Sequence, residues 1–199
     1  MDMPLSQPKN ILIVEDEHLV AQNLSHAIKS LGYNVTGMAS TAEESLNMVR
    51  ENRPDLVLMD IKLPGMPGTE AAKQIFFGMN VPVIITTAYA QQDFVNNSAN
   101  AGVFGYLLKP ITTSSLKTTI PIAWANYLQH LDQNEKIQSL KTTLAERKVI
   151  EQAKGILMQR NSLSEPDAFA ALRNQARSSR RKLADMARAV IETQDLLEN

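Results

Sequence analysis

The sequence predicts an α/β domain built on a doubly wound, five-stranded parallel sheet, then a long helix and a small all-α domain of three helices. Three observations predict this. Short apolar, β-branched runs alternate with helical spacing until about residue 113, and after it only helical spacing remains. The balance of charge changes in step: residues 1–133 carry 8 basic against 12 acidic side chains, and residues 134–199 carry 12 against 9. Within 147–188 the surplus is 10 basic to 4 acidic. Halves of opposite sign point to different partners.

The elements follow in order. Asn10–Val14 (NILIV) reads as a buried strand. Leu19, Ala21, Leu24, Ala27, Ile28 and Leu31 recur at helical spacing, and Gly32 supplies a stop. Tyr33–Ala39 is a second strand, and Thr41 with Glu44 forms a capping box for the next helix. Leu56–Met59, Val81–Thr86 and Phe104–Leu108 complete five strands, with helical stretches between them. Ser114 to Arg160 reads as helix, with a kink or a fresh start expected at Pro121. Ile120, Trp124, Tyr127 and Leu131, then Ile137, Leu140 and Leu144, carry coiled-coil-like spacing in two registers. They form either a seam between two copies or a face packed on the same chain. Three further stripes, Ile150/Ala153/Leu157, Ala168/Phe169/Leu172/Ala176 and Leu183/Met186/Ala187/Val190/Ile191, suit three short helices sharing one core. Ser162 to Pro166 and Ser178-Ser179 supply caps between them, and Arg180, Arg181 and Lys182 are expected to open the third of these helices. The divisions expected are 1–120, a helical linker over 121–145, and 146–199.

The chain has 199 residues and no cysteine, which removes disulfide and thiolate chemistry. Met1 to Asn10 shows no signal-peptide pattern, and no apolar run reaches the roughly 18–20 residues that span a bilayer. A cytoplasmic protein without a membrane partner is expected. His18, His26 and His130 lack metal-ligand spacing and read as surface or helix-face residues.

The strand ends carry chemistry. The first ends in Glu15-Asp16-Glu17, the third at Asp60, the fourth at Thr86-Thr87 and the fifth at Lys109-Pro110. In a doubly wound sheet these ends line one crevice. Clustered carboxylates repel unless a hard cation joins them, and Mg²⁺ takes oxygen ligands. Glu15, Asp16 and Asp60 suit such a site, with the backbone carbonyl of Lys62 as a further ligand. A carboxylate beside the metal is a nucleophile towards phosphorus. Lys109 would offer a point charge to phosphoryl oxygens and Thr87 a hydrogen bond.

The segments LIVEDE, LVLMDIKLPGMPG, VIITTAYA and GYLLKP resemble the signatures of response-regulator receiver domains, over roughly residues 8–120. The resemblance implies a flavodoxin-like fold with Asp60 as phosphoacceptor. It implies Mg²⁺ held by Glu15 and Asp16, Thr87 and Lys109 on the phosphoryl group, and Tyr106 as the switch aromatic. It also implies a cis bond before Pro110, and places Lys62 and Tyr89 where the family tunes phosphoryl lifetime. Such a domain assists its own phosphorylation and dephosphorylation and is otherwise not an enzyme.

RKVIEQAKGILMQR and AFAALRNQARSSRRKLADMARAVI resemble the ANTAR domain of transcription antitermination regulators, over about residues 139–195. That resemblance implies binding to paired hairpins in a leader RNA, so that a terminator does not form. Arg147, Lys154, Arg173, Arg177, Arg180, Arg181 and Lys182 are the expected RNA contacts, and Gly155 is expected to permit close helix packing. Phe169 is the segment's lone aromatic and sits on an apolar stripe, so phosphate and shape recognition is expected over base stacking. A sensor histidine kinase would donate the phosphoryl group, and the phosphorylated chain would pair as a homodimer. The alternatives are a DNA-binding output and a protein-interaction output.

Overall fold

The computed structural model describes residues 7–88 and 102–198. The chain divides into two compact units, 1–131 and 132–199.

In the first unit the strands are β1 (Asn10–Val14), β2 (Asn34–Ala39), β3 (Leu56–Asp60), β4 (Val83–Thr87) and β5 (Val103–Leu108). They form one parallel sheet in the order β2-β1-β3-β4-β5. Helices α1 (His18–Ser30), α2 (Ala42–Asn52) and α3 (Gly68–Met79) connect them, and α4 begins after β5. The expected crossover helix between β4 and β5, and Tyr89 with it, falls outside the described residues.

The order follows from burial on both faces. Leu12, Val14, Val57, Met59, Val83 and Ile85 pack with α2 and α3, while Ile11, Ile13, Leu58, Ile84 and Leu107 pack with α1 and α4. Side chains alternate along each strand, so an unbroken apolar run such as NILIV fills both layers. Each fully buried Leu, Ile or Val contributes about 1.5–3 kcal/mol. The β4–β5 register shifts between Val83 and Ile84, so Ile84 faces Gly105. The bulge turns Phe104 to Phe76, Tyr127 and His130, with ring centroids 5.1–5.7 Å away, and Tyr106 stays against the α2–α3 layer.

Local signals hold at most element ends. Thr41 caps α2 by accepting from the Glu44 amide, although the Glu44 carboxylate reaches back to the Ser40 amide rather than to the cap's own. Gly32 closes α1 with φ 88°. Of the kink or fresh start expected at Pro121, the fresh start does not occur: α4 runs unbroken from Thr113 to Asn161. Its flanking residues Ile120 and Ala123 are fully buried on the sheet, and that packing offsets the lost helical hydrogen bond.

The apolar stripe of α4 divides into two fates. Ile120 and Tyr127 are buried in the first unit, and the Tyr127 hydroxyl donates to the Asn80 carbonyl at 2.7 Å. Ile137, Leu140 and Leu144 are exposed. Packing on the same chain therefore accounts for the first register and leaves the second uncovered.

The second unit holds the rest of α4 with α5 (Glu165–Ser178) and α6 (Leu183–Glu198). Ala153, Leu172, Ala176, Met186 and Ala187 form its core, flanked by Ile150, Leu157, Leu183, Val190 and Ile191. Ser164 caps α5, with Pro166 in its first turn. Two expectations are corrected. Phe169 is 37% exposed and lies outside this core. A Cβ at Gly155 would meet nothing within 4 Å, so close packing inside the chain does not explain that glycine.

Gly102, by contrast, is required. It has φ 71°, and a Cβ on it would lie 2.3 Å from the Phe76 Cβ. Gly102→Ala is expected to cost about 2–4 kcal/mol through left-handed strain and overpacking. A fall in urea midpoint at unchanged slope checks this.

Candidate functional site

Parallel pairing aligns the strand ends. Val14 sits beside Met59, Asp60 beside Thr86, and Thr87 beside Leu108, so the next residues of β1 and β5, Glu15 and Lys109, flank Asp60 at the carboxyl edge. Glu15, Asp60 and Thr87 are buried, while Asp16 and Lys62 are exposed. The loop between β5 and α4 begins with a cis Lys109-Pro110 bond.

Lys109 ties the cluster together. Its Nζ lies 2.5 Å from Asp60 Oδ2, 3.1 Å from Glu15 Oε1 and 2.8 Å from Glu15 Oε2. The Lys62 amide donates to Asp60 Oδ1 at 3.2 Å, which brings that loop to the same carboxylate. The Lys109 amide donates to the Thr87 carbonyl at 2.8 Å, pinning the lysine's backbone to the end of β4. Tyr106, on β5, is half-buried, and burial pushes its phenol pKa up.

One ammonium faces two carboxylates, Asp60 and Glu15. Burial opposes the charge on Lys109, but hydrogen bonds and charge from Asp60 and Glu15 prevail and hold its pKa above the usual lysine value. Glu15 fares worse. Burial is the main force raising its pKa; the Lys109 hydrogen bond lowers it, and the negative charge of Asp60 raises it again. Glu15 Oε2 is buried and accepts no hydrogen bond despite the nearby ammonium. One ligand oxygen each from Glu15, Asp16 and Asp60 can lie within 4.8 Å of one another. An unsatisfied anionic oxygen in a set of hard oxygen donors is what a divalent cation such as Mg²⁺ completes. The residues present fit that ion.

In the second unit, Arg147, Arg173, Arg177, Arg180, Arg181 and Lys182 are exposed and enter no ion pair among the described residues. Arg180, Arg181 and Lys182 do not open α6, as the sequence suggested, but form the turn before it. The Arg180 amide donates to the Arg177 carbonyl and the Arg181 amide to that of Ala176, closing α5 with Arg180 left-handed at φ 55°. Lys154 is placed unlike the others. It is 8% exposed, and its Nζ lies 2.8–2.9 Å from both Glu151 oxygens and 2.8 Å from Glu165 Oε1. The hydrogen bonds that Lys154 donates to Glu151 first, and then to Glu165, raise its pKa, while Glu165 is lowered in return. It clamps the start of α5 to α4. Glu165 gave no sign of this role in the sequence, since a first-turn glutamate is ordinary.

Comparison with known proteins agrees with both units. A sequence profile of the response regulator receiver domain matches residues 11–121, and one of the ANTAR domain matches residues 138–191. The chain is 32% identical over 192 residues to the transcriptional regulatory protein PdtaR of Mycobacterium tuberculosis, covering 96% of this chain and 94% of that one. It is 34% identical over 113 residues to sporulation initiation phosphotransferase F of Bacillus subtilis, covering 56% of this chain and 90% of the other. Among solved structures, the signal receiver domain of a modulated diguanylate cyclase from Desulfovibrio desulfuricans superposes with TM-score 0.56 at 32% identity, over 63% of this chain and 99% of that one.

The electrostatics give a test. A carboxyl whose folded pKa is raised contributes stability below its unfolded pKa and loses it as pH rises through the folded value. Ionised Glu15 therefore weakens the metal-free fold at neutral pH. Glu15→Gln is expected to raise Tm by about 2–5 °C at pH 7.5 in chelator. The gain should vanish below pH 4.5 and shrink when Mg²⁺ is added. A thermal melt across pH, with and without Mg²⁺, decides this; a lower Tm at pH 7.5 would refute it.

Proposed function

The chain belongs to the response regulators, with a receiver domain and a C-terminal ANTAR domain, and on that premise we propose that phosphorylation of Asp60 controls RNA binding by the second unit to cause transcription antitermination. The observation that carries the first half is the buried Asp60 carboxylate, held by Lys109 and the Lys62 amide next to the unsatisfied Glu15 oxygen. The second half is carried by exposed cations of the ANTAR unit, Arg147, Arg173, Arg177, Arg180, Arg181 and Lys182 among them, that enter no ion pair among the described residues.

Asp60 accepts the phosphoryl group of a sensor histidine kinase. Glu15, Asp16, Asp60 and the Lys62 carbonyl are the residues that would hold Mg²⁺, which when bound neutralises phosphoryl oxygens and the facing carboxylates. Lys109 leaves its pairing with Asp60 and turns its charge to the new phosphoryl oxygens, a transfer that needs positioning and neutralisation more than covalent help. The Thr87 hydroxyl donates to the same group, and Tyr106 on β5 follows it inward. The receiver acts on its own phosphoryl group and turns over no other substrate.

A phosphorylated pair of chains then presents its ANTAR units to paired hairpins of a leader transcript in the cytoplasm. Arg147, Arg173, Arg177, Arg180, Arg181 and Lys182 contact phosphates; Lys154 acts by holding α5 in place. The exposed Ile137, Leu140 and Leu144 supply the apolar seam for pairing.

Anisotropy on the leader RNA, with and without beryllofluoride as the phosphoryl mimic, tests this. The mimic should strengthen RNA binding in the wild-type chain and have no effect in Asp60→Asn. Affinity should fall steeply with salt, since each released phosphate contact adds about 0.7–0.9 to the log–log slope. A mimic response that survives in Asp60→Asn removes the proposed switch. Equal affinity for duplex DNA of the same region favours a DNA output.

A further inference from the structure

Gly155 stands inside α4, where glycine weakens a helix relative to alanine through backbone entropy. Nothing in this chain asks for it: its backbone is helical, and an added Cβ would meet nothing within 4 Å. The missing side chain leaves room for something outside the chain.

The residues around Gly155 indicate what that is. Lys148, Gln152 and Gln159 lie at helical spacing on the same face of α4. All three are exposed, with no hydrogen bond or ion pair to another described residue. The neighbouring acid, Glu151, is turned to Lys154 Nζ, a cation that it shares with Glu165. The strip thus offers a cation, two amides and, at half-buried Gly155, one point of helix backbone without a side chain, in a region with 10 basic against 4 acidic side chains.

We infer that this strip seats an RNA backbone, with the ribose-phosphate chain reaching its closest approach to α4 at Gly155. Lys148 faces a phosphate, and the amides of Gln152 and Gln159 hydrogen-bond phosphate oxygens or ribose 2′-hydroxyls, the latter being the group that distinguishes RNA from DNA at a contact. The inference rests on the RNA reading above and adds to it a surface separate from the α5–α6 turn. A second copy of α4 is the weaker occupant. Helices that meet at a glycine interlock apolar or small flanking side chains, whereas here the exposed flanks are Lys148, Gln152 and Gln159, and the apolar Met158 beside them is half-buried.

The test uses the full chain and a transcript carrying two adjacent small hairpins from the leader of its neighbouring operon. Gly155→Ala should keep or raise Tm yet weaken RNA binding about tenfold, equivalent to about 1.4 kcal/mol. Gly155→Leu should weaken it further, and Lys148→Ala should reduce the salt slope by about one. Wild-type affinity in Gly155→Ala overturns the inference and leaves RNA binding by the chain intact. Unchanged RNA affinity with weakened self-association in sedimentation overturns it in favour of a second copy. If the wild-type chain does not bind the transcript, the RNA reading fails and the strip fails with it.

Discussion

The contact on which the first unit turns is the ammonium of Lys109 set between Asp60 and Glu15. One cation is shared by carboxylates from two other strands, so the sheet order β2-β1-β3-β4-β5 is as necessary to it as the residues themselves. Each strand delivers its polar group at the point where apolar burial stops. The cluster is also under-neutralised, since the one ammonium is shared by two carboxylates. A buried carboxylate left short of partners destabilises its surroundings unless a further positive charge arrives. The apolar layers on both faces of the sheet sustain that imbalance.

Much of this was legible in the sequence. NILIV and LVLM can be little other than strands buried on both faces, and the groups that end them assembled where a parallel sheet must put them. What the sequence concealed were contacts between elements. Pro121 signals a break only if the burial of Ile120 and Ala123 is unknown. Trp124 and Ile137 carry the same kind of spacing, yet the first region packs on its own sheet while Ile137 lies open. Arg180 to Lys182 read as a helix start because helix spacing does not reveal a left-handed turn. Lys154 reads as one more surface cation until Glu165, on another helix, is found beside it.

The second unit is small, and its core rests on a few alanines, one leucine and one methionine with half-buried companions. Domains of this size bury proportionately little surface. Lys154 adds a polar fastening at the α4–α5 corner, with Ser164 capping the incoming helix beside it. That arrangement ties one lysine to two exposed glutamates, while Arg177, Arg180 and Arg181 stay outside any ion pair among the described residues. Fold and electrostatic surface are set together by one side chain.

Gly68 opens α3 so close to β3 that a Cβ on it would fall 1.9 Å from the Asp60 carbonyl oxygen, and its amide donates to the Ile61 carbonyl. Any side chain there must push the helix away from the backbone that aims Asp60. In a genetic screen for chains that fold but no longer signal, position 68 should therefore appear among the dead alleles alongside the acidic residues, though it bears no functional group. A map of such alleles drawn on the sequence alone would look like two sites, and on the fold it is one.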